Sequence, residues 1–228
     1  MKSFAFGHTS LGLSIPAFRF GNQGKHVLIL GGVHGDEIEG VWAAFGLLEK
    51  LKSDNALALE LRPLLLTLVP AFNLDGVLVR ERRNARGVDL NRNLPSNDWT
   101  SSVATERYHP GAAAGSEPEN QALVEFLKAH NPSLIISLHS WKPMLNINGE
   151  CLLEAEEIAK HTGYAIEKSI GYPTPGCLGT YAGLERAMPT ITYEIERGLD
   201  RESIFKTHVP ALIASLQATA HSPDTRRK

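Results

Sequence analysis

Four consecutive aliphatic residues, Val27 to Leu30 in the stretch HVLILGG at 26–32, leave that segment no polar face with which to meet water. A strand of this kind is buried on both sides, so the chain must supply covering layers above and below a sheet. From Asp36 the period changes: Ile38, Val41, Trp42, Phe45, Leu48 and Leu51 recur at three and four, with acidic residues in the first turn, which predicts an amphipathic helix. Three further apolar runs, LLLTLVP at 64–70, LIISLHS at 134–140 and TITYEIE at 190–196, read as strands. The helix SEPENQALVEFLKAH has Ser116 as N-cap with Glu119 three residues on, the capping-box spacing, and ends at Asn131-Pro132. A last helix runs from about Ser203 towards Ala220, with Pro210 as a candidate kink. Strands alternating with helices predict an α/β fold, three α/β/α layers around a central mixed, largely parallel sheet.

The ends of the chain read differently. Residues 3–20 alternate loosely around Gly12 and Pro16, so 1–25 is expected to form a hairpin at the sheet edge, and 221–228 a frayed tail. With 228 residues, no internal repeat and no low-complexity linker, 1–228 is expected to be a single catalytic domain. A formal net charge of -2 gives no general attraction to nucleic acid or anionic membranes. The amino terminus has no apolar core of a signal peptide and no window is long enough to span a bilayer, so a soluble cytoplasmic protein is expected. Cys151 and Cys177 are too few for a disulfide framework and lack zinc-finger spacing, so any metal must be held by histidine and carboxylate.

In open α/β sheets ligands bind beyond the carboxyl ends of the strands, and His34, Asn73, His139 and Glu194 fall at or near such ends. Catalytic zinc takes three protein ligands and keeps a fourth position for water. His34 and Glu37 offer two ligands from one loop, and His139, ending a buried run, a third. Each has a simpler reading taken alone: Asp36 and Glu37 as first-turn acids favouring the helix dipole, His139 as a core histidine satisfied by a carbonyl. His8, His26, His109, His130, His161, His208 and His221 fall on expected edges, loops or helix surfaces, where solvation accounts for them. HExxH, GxSxG and Walker motifs are absent, which leaves serine and P-loop mechanisms without a signal.

The segment NLDGVLVRERRNARGVDLNRNLPSNDW at 73–99 lengthens the pattern. His34-Gly35-Asp36-Glu37, Arg82, Gly87-Val88-Asp89-Leu90-Asn91-Arg92-Asn93, His139 and Glu194, in that order, resemble the zinc carboxypeptidase superfamily, with its HxxE pair, upstream arginine, GVDxNRN block, lone histidine and late glutamate. GVDLNRNLPSNDW at 87–99, GSEPENQAL at 115–123 and SIGYPTPGCLG at 169–179 carry the resemblance on to the murein peptide amidases of bacterial cell-wall recycling, over most of the chain.

The resemblance implies one zinc ion per chain, held by His34, Glu37 and His139, although such an N,N,O set also accepts cobalt or nickel. It implies Glu194 as general acid/base; Glu196, on the same strand face, competes for that role. Arg82 would stabilise the developing oxyanion, its neighbours Arg80, Arg83 and Arg86 forming in part a solvated basic loop. Asn91 and Arg92 would grip a terminal carboxylate, and Asp89 would orient His34 unless it merely caps a turn. Tyr172 would close over the substrate, with an ordinary loop tyrosine an equal reading. Cys177 reads as a packed small residue.

The activity so implied is hydrolysis of an amide bond next to a free carboxylate, with the γ-D-glutamyl–diaminopimelate bond of murein tripeptide as substrate. The implied partner is a small peptide, with no nucleic acid and no membrane; a homodimer is left open. A deacylase of the desuccinylase or aspartoacylase kind shares the scaffold and stays open. A non-catalytic peptide- or metal-binding module is the alternative of another class, against which Glu194 argues, because binding alone needs no acid/base.

Overall fold

The computed structural model of the chain describes residues 1–102 and 105–222. Strands β1 (Lys2–His8) and β2 (Ser14–Phe20) form an antiparallel hairpin. After it come β3 (Lys25–Gly31), α1 (Ile38–Ser53), α2 (Asn55–Glu60), β4 (Leu64–Val69), α3 (Leu74–Val79) and α4 (Pro118–His130). The remaining elements are β5 (Leu134–Trp141), β6 (Met144–Asn148), α5 (Leu152–Thr162), β7 (Ile166–Glu167), β8 (Thr190–Glu196), α6 (Arg201–Ser203) and α7 (Val209–His221). All eight strands join one sheet in the order β1-β2-β4-β3-β5-β8-β6-β7. Its centre is parallel, β3 pairing with β4 and β5, and β5 with β8. Antiparallel pairs, β2 with β4 and β6 with β8, flank that centre and make the sheet mixed.

The unbroken apolar runs bury side chains on both faces. Val27 and Ile29 pack with Leu47 and Leu48 of α1 and with Leu212 and Leu216 of α7. Leu28 and Leu30 face the other way, into a core with Phe126 and Leu127 of α4 and with Phe6 and Ile15 of the hairpin. Each fully buried aliphatic side chain contributes about 1.5–3 kcal/mol relative to exposure, so covering both faces is what forces three layers. The same alternation positions the polar groups. Leu134, Ile136 and Leu138 of β5, and Ile191, Tyr193 and Ile195 of β8, lie in the α1/α7 core. Ser137, His139, Thr192 and Glu194 therefore turn to the opposite face.

Several local readings need correction. The α4 start is no capping box: Glu117 is the N-cap residue and makes no side-chain cap. Ser116 Oγ donates to Glu117 Oε1 at 2.8 Å, and buried Glu119 accepts from Ser10 N at 2.9 Å. Pro210 lies within helical backbone that runs unbroken from Arg201 to His221 and directly follows a π-helical turn at Ile204–His208, the widened turn by which a helix takes in a proline that lacks an N–H. The sequence patterns did not disclose β6, α5 or β7. His221 still ends α7, and the remainder of the expected frayed tail, from 223, lies outside the described residues. Among the described residues no helix is long and apolar enough to cross a membrane.

His26 and His208, read as solvated, are buried. His26 Nε2 lies 2.9 Å from Thr67 Oγ1, and His208 Nδ1 lies 2.6 Å from the Tyr193 hydroxyl. Burial, helped by His130 and Arg19, pushes His26 down to about 4; burial pushes His208 to about 4 as well. Both are neutral, folded or unfolded, above pH 6.5. As pH falls from there towards 4, the unfolded chain takes up protons that the folded chain refuses, so stability is lost on acidification, by up to roughly 3 kcal/mol per histidine. Denaturant unfolding at about pH 7 and pH 4 should show the loss. His208→Asn, whose amide can still meet the Tyr193 hydroxyl, should lose less stability than the parent over that interval.

Candidate active site

The β3–α1 junction carries His34 and Glu37, and the end of β5 carries His139. His34 Nδ1 lies 2.9 Å from Glu37 Oε1, His139 Nδ1 2.9 Å from Glu37 Oε2, and the two Nδ1 atoms 3.1 Å from each other. The second ring nitrogens face away from this cluster. His34 Nε2 meets Asp89 Oδ1 at 3.1 Å, and His139 Nε2 meets Ser137 Oγ at 3.0 Å. With Nε2–H given to the Asp89 carboxylate, His34 keeps a lone pair on Nδ1, aimed at His139 Nδ1 and Glu37. Converging acceptor atoms repel one another unless a cation joins them. One ligand atom from each of the three residues falls within 4.8 Å of the others. Zinc–nitrogen bonds of about 2.0–2.1 Å put two tetrahedral ligand nitrogens roughly 3.3 Å apart, close to the spacing here. These residues fit a zinc ion.

The surroundings fix the cluster. Ser140 N donates to Glu37 Oε2 at 3.2 Å, while Glu39 accepts from Ser140 Oγ at 2.7 Å and from Gly198 N at 2.7 Å, tying α1 to β5 and to the turn after β8. Arg82 donates through Nε to Asp89 Oδ2 at 3.0 Å and through Nη1 to Glu37 Oε1 at 3.3 Å; its Nη2 stands 2.9 Å from Asp89 Oδ2. Burial works against the carboxylate of Glu37, yet His34 and His139 hold it well below the usual range. Burial and Arg82 oppose charge on His34, but Glu37 and Asp89 outweigh them and raise it.

Gly35 shows how tightly this junction packs against the segment bearing Arg82. A Cβ there would overlap the Gly76 carbonyl group and the Glu81 carbonyl oxygen. Gly35→Ala should therefore displace the His34–Glu37 loop, lower stability by about 1–3 kcal/mol and reduce activity. A thermal melt with an activity assay on the same preparation checks both.

Glu194 is the register partner of His139 across β5 and β8. It is buried, and its Oε2 has no hydrogen-bond partner. Burial, helped by the Glu37 carboxylate and opposed by His139, Arg82 and Arg92, pushes it up to about 7. Glu196, the competing candidate, is exposed. His34, Glu37, Arg82, Asn91, Arg92, Tyr172 and Glu194 line one cavity of about 160 Å³. Asn91 Oδ1 accepts from Leu178 N at 2.9 Å, an orientation that turns its NH₂ group free to donate. The Arg82 and Arg92 guanidinium groups each lie 5.3 Å from the Tyr108 ring centre. Tyr172 is 39% exposed and meets Trp141 edge-on at 5.7 Å, so its ring stands at the mouth.

The structure thus brings together the residues singled out in the sequence, with Asp89 behind His34. Asn73 is the exception: buried outside the cavity, it caps α3 by accepting from Gly76 N and donates to Arg82 O at 3.1 Å, steadying that loop. Arg80 is an exposed left-handed C-cap, Arg83 donates to Glu106 O and Arg86 reaches towards Glu117, so none of the three competes with Arg82. Cys177 hydrogen-bonds with Thr174 and Thr180 and forms part of the cavity wall. Sequence reasoning missed Ser137 and Thr192, which the two-residue period of a strand could have found from His139 and Glu194. It also missed Tyr108, Trp141, Arg107, Arg197 and Asn146, which only the folded chain brings to the site.

Several known proteins are similar to this chain in sequence and in fold. Murein peptide amidase A of Vibrio campbellii is 31% identical over 209 residues, 86% of this chain and 78% of that enzyme's length. Murein peptide amidase A of Escherichia coli K12 is 32% identical over 181 residues, 68% of this chain; the match spans 64% of that enzyme. The crystal structure of murein-tripeptide amidase from Escherichia coli O157 superposes with a TM-score of 0.73 at 25% identity, covering 95% of this chain and 92% of that one. Bovine thrombin-activatable fibrinolysis inhibitor shares the fold, with a TM-score of 0.80 at 21% identity over 96% of this chain and 89% of its own. The family model for zinc carboxypeptidases matches residues 1–197, and the chain belongs to that family of zinc-dependent peptide and amide hydrolases.

Proposed function

We propose that this enzyme hydrolyses an amide bond next to a free carboxylate, with the γ-D-glutamyl–diaminopimelate bond of murein tripeptide as its substrate. One observation carries the reading: a buried Glu194 carboxylate, its Oε2 unpartnered, faces the cavity that His34 and Glu37 of the three-residue cluster line together with Asn91 and Arg92. When bound, zinc supplies Lewis acidity that polarises the scissile carbonyl and acidifies a water at neutral pH. Glu194 accepts that water's proton and returns it to the leaving nitrogen. Arg82, with two N–H groups left after its bonds to Asp89 and Glu37, stabilises negative charge on the carbonyl oxygen. Asp89 keeps His34 in the ligating tautomer, and Tyr172 closes the mouth over bound peptide.

Asn91 and Arg92 are proposed to hold the terminal carboxylate, which makes cleavage exo-acting. Charge-assisted hydrogen bonds contribute about 1.5–3 kcal/mol, so Arg92→Gln should raise KM by roughly 10- to 100-fold with little change in kcat. A peptide with its terminal carboxylate amidated should lose a similar factor on the parent enzyme.

The substrate proposal leans on what the amidase relatives are named for and on stretches such as GSEPENQAL at 115–123. Incubation with murein tripeptide and, separately, with N-acyl amino acids tests it by liquid chromatography. Release of diaminopimelate supports the amidase; turnover of the acyl amino acids alone would establish the deacylase reading instead.

A further inference from the structure

The mechanism leaves two guanidinium groups of the cavity without a task. Arg107, from the segment before α4, and Arg197, directly after β8, line it with side chains 50% and 40% exposed. Both grip Asp36: Arg107 Nη2 lies 3.1 Å from Asp36 Oδ2, and Arg197 Nη2 lies 2.9 Å from the same oxygen and donates to the Asp36 carbonyl at 2.7 Å. Asp36 directly precedes Glu37, so the pair is fixed beside the proposed metal ligands. The Asn91 position is built from another segment, tied to Leu178.

As a stabilising device this pair does little, because exposed ion pairs contribute only about 0–1 kcal/mol. As a binding device it is well prepared. Two guanidinium groups against one carboxylate leave one net positive charge. Among the described residues each arginine is held only through Nη2, so Nε–H and the Nη1 hydrogens remain as separate charged donors that a carboxylate oxygen can accept from. Asn91 and Arg92 already serve the leaving half of the substrate, so a second cationic position beside Glu37 suits the acyl half.

We propose that Arg107 and Arg197, held by Asp36, bind a second substrate carboxylate on the acyl side of the scissile bond and so select acidic over neutral peptides. This rests on the substrate reading above, since a γ-linked glutamyl residue keeps its α-carboxylate free near the bond that is cut.

Binding isolates the clamp from the chemistry. Zinc-loaded Glu194→Gln protein is titrated calorimetrically with L-alanyl-γ-D-glutamyl-diaminopimelate and with the analogue whose glutamyl α-carboxylate is a carboxamide. The acidic peptide should bind about tenfold tighter or more, as expected for a charge-assisted hydrogen bond. Adding Arg107→Gln and Arg197→Gln together should shrink that preference to within about twofold, while Arg197→Lys, which keeps the charge but loses the donors fixed by the grip on Asp36, gives an intermediate value. Equal affinities in the parent, a preference that survives the double substitution, or failure of either peptide to bind overturns the proposal. If the preference behaves as expected but the wild-type enzyme leaves the acidic peptide uncut, the clamp stands and the substrate assignment falls.

Discussion

Replacing Glu194 by Gln should lower kcat by about 10²–10⁴-fold while zinc stoichiometry and folding stay intact, because general acid/base catalysis contributes on that scale. The substitution is nearly isosteric and removes only the capacity to take a proton. No ligand atom of the proposed zinc site belongs to this side chain, and its Oε2 supports no hydrogen bond whose loss would loosen the fold. Glu194 must be ionised to accept a proton, so activity should rise with pH through its pKa. Burial pushes that pKa up to about 7, and a bound dication draws it down, which places the acid limb of the kcat/KM profile at or below about pH 7. Metal analysis, a melting curve and a pH–rate profile on parent and variant make the check. An unaltered rate would remove Glu194 from the mechanism and return attention to Glu196.

Residues with a strong local or periodic signature were legible in the sequence. Val27 to Leu30 could only be a strand covered on both sides, and Ile38 to Leu51 could only hide their apolar stripe as a helix on that sheet. His34, Glu37, Asp89, Asn91 and Arg92 sat in two short blocks, while His139 and Glu194 ended apolar runs. What escaped reading depends on contacts distant along the chain. MLNIN at 144–148 is too short to announce a strand, and β6 exists because β8 offers it an open edge. Ser116 and Glu119 satisfied a local rule, but Ser10, Asn84 and Glu117 compete for the same groups in the fold, and tertiary hydrogen bonds win. His26 and His208 looked solvated because Thr67 and the Tyr193 hydroxyl, their partners, are 41 and 15 positions away. Arg107 and Arg197 converge on Asp36 across 71 and 161 positions, a meeting that no spacing rule encodes.

His139→Ala should cost more zinc affinity than the roughly 10- to 100-fold that follows loss of a hydrogen bond behind a ligand, and activity should fall with metal occupancy. His139 supplies a donor atom from a different strand, and without it only the His34–Glu37 loop remains to hold the ion. Asp89→Asn is the milder comparison: it leaves all three ligands and weakens only the hold on His34 Nε2, so its loss should lie within that range. Zinc and protons compete for the same lone pair. Because Glu37 and Asp89 raise His34 against burial and Arg82, a proton remains an effective competitor near neutral pH. Apparent affinity should accordingly tighten with rising pH, by about tenfold per unit for each proton displaced, and level off once His34 is neutral. A chelator-competition titration across pH reads the slope, and its plateau compares the three proteins with proton competition removed. If His139→Ala retains the parent's plateau affinity, the ion is held by other groups; if Asp89→Asn weakens binding as much as His139→Ala does, the carboxylate behind His34 carries as much of the affinity as a ligand does.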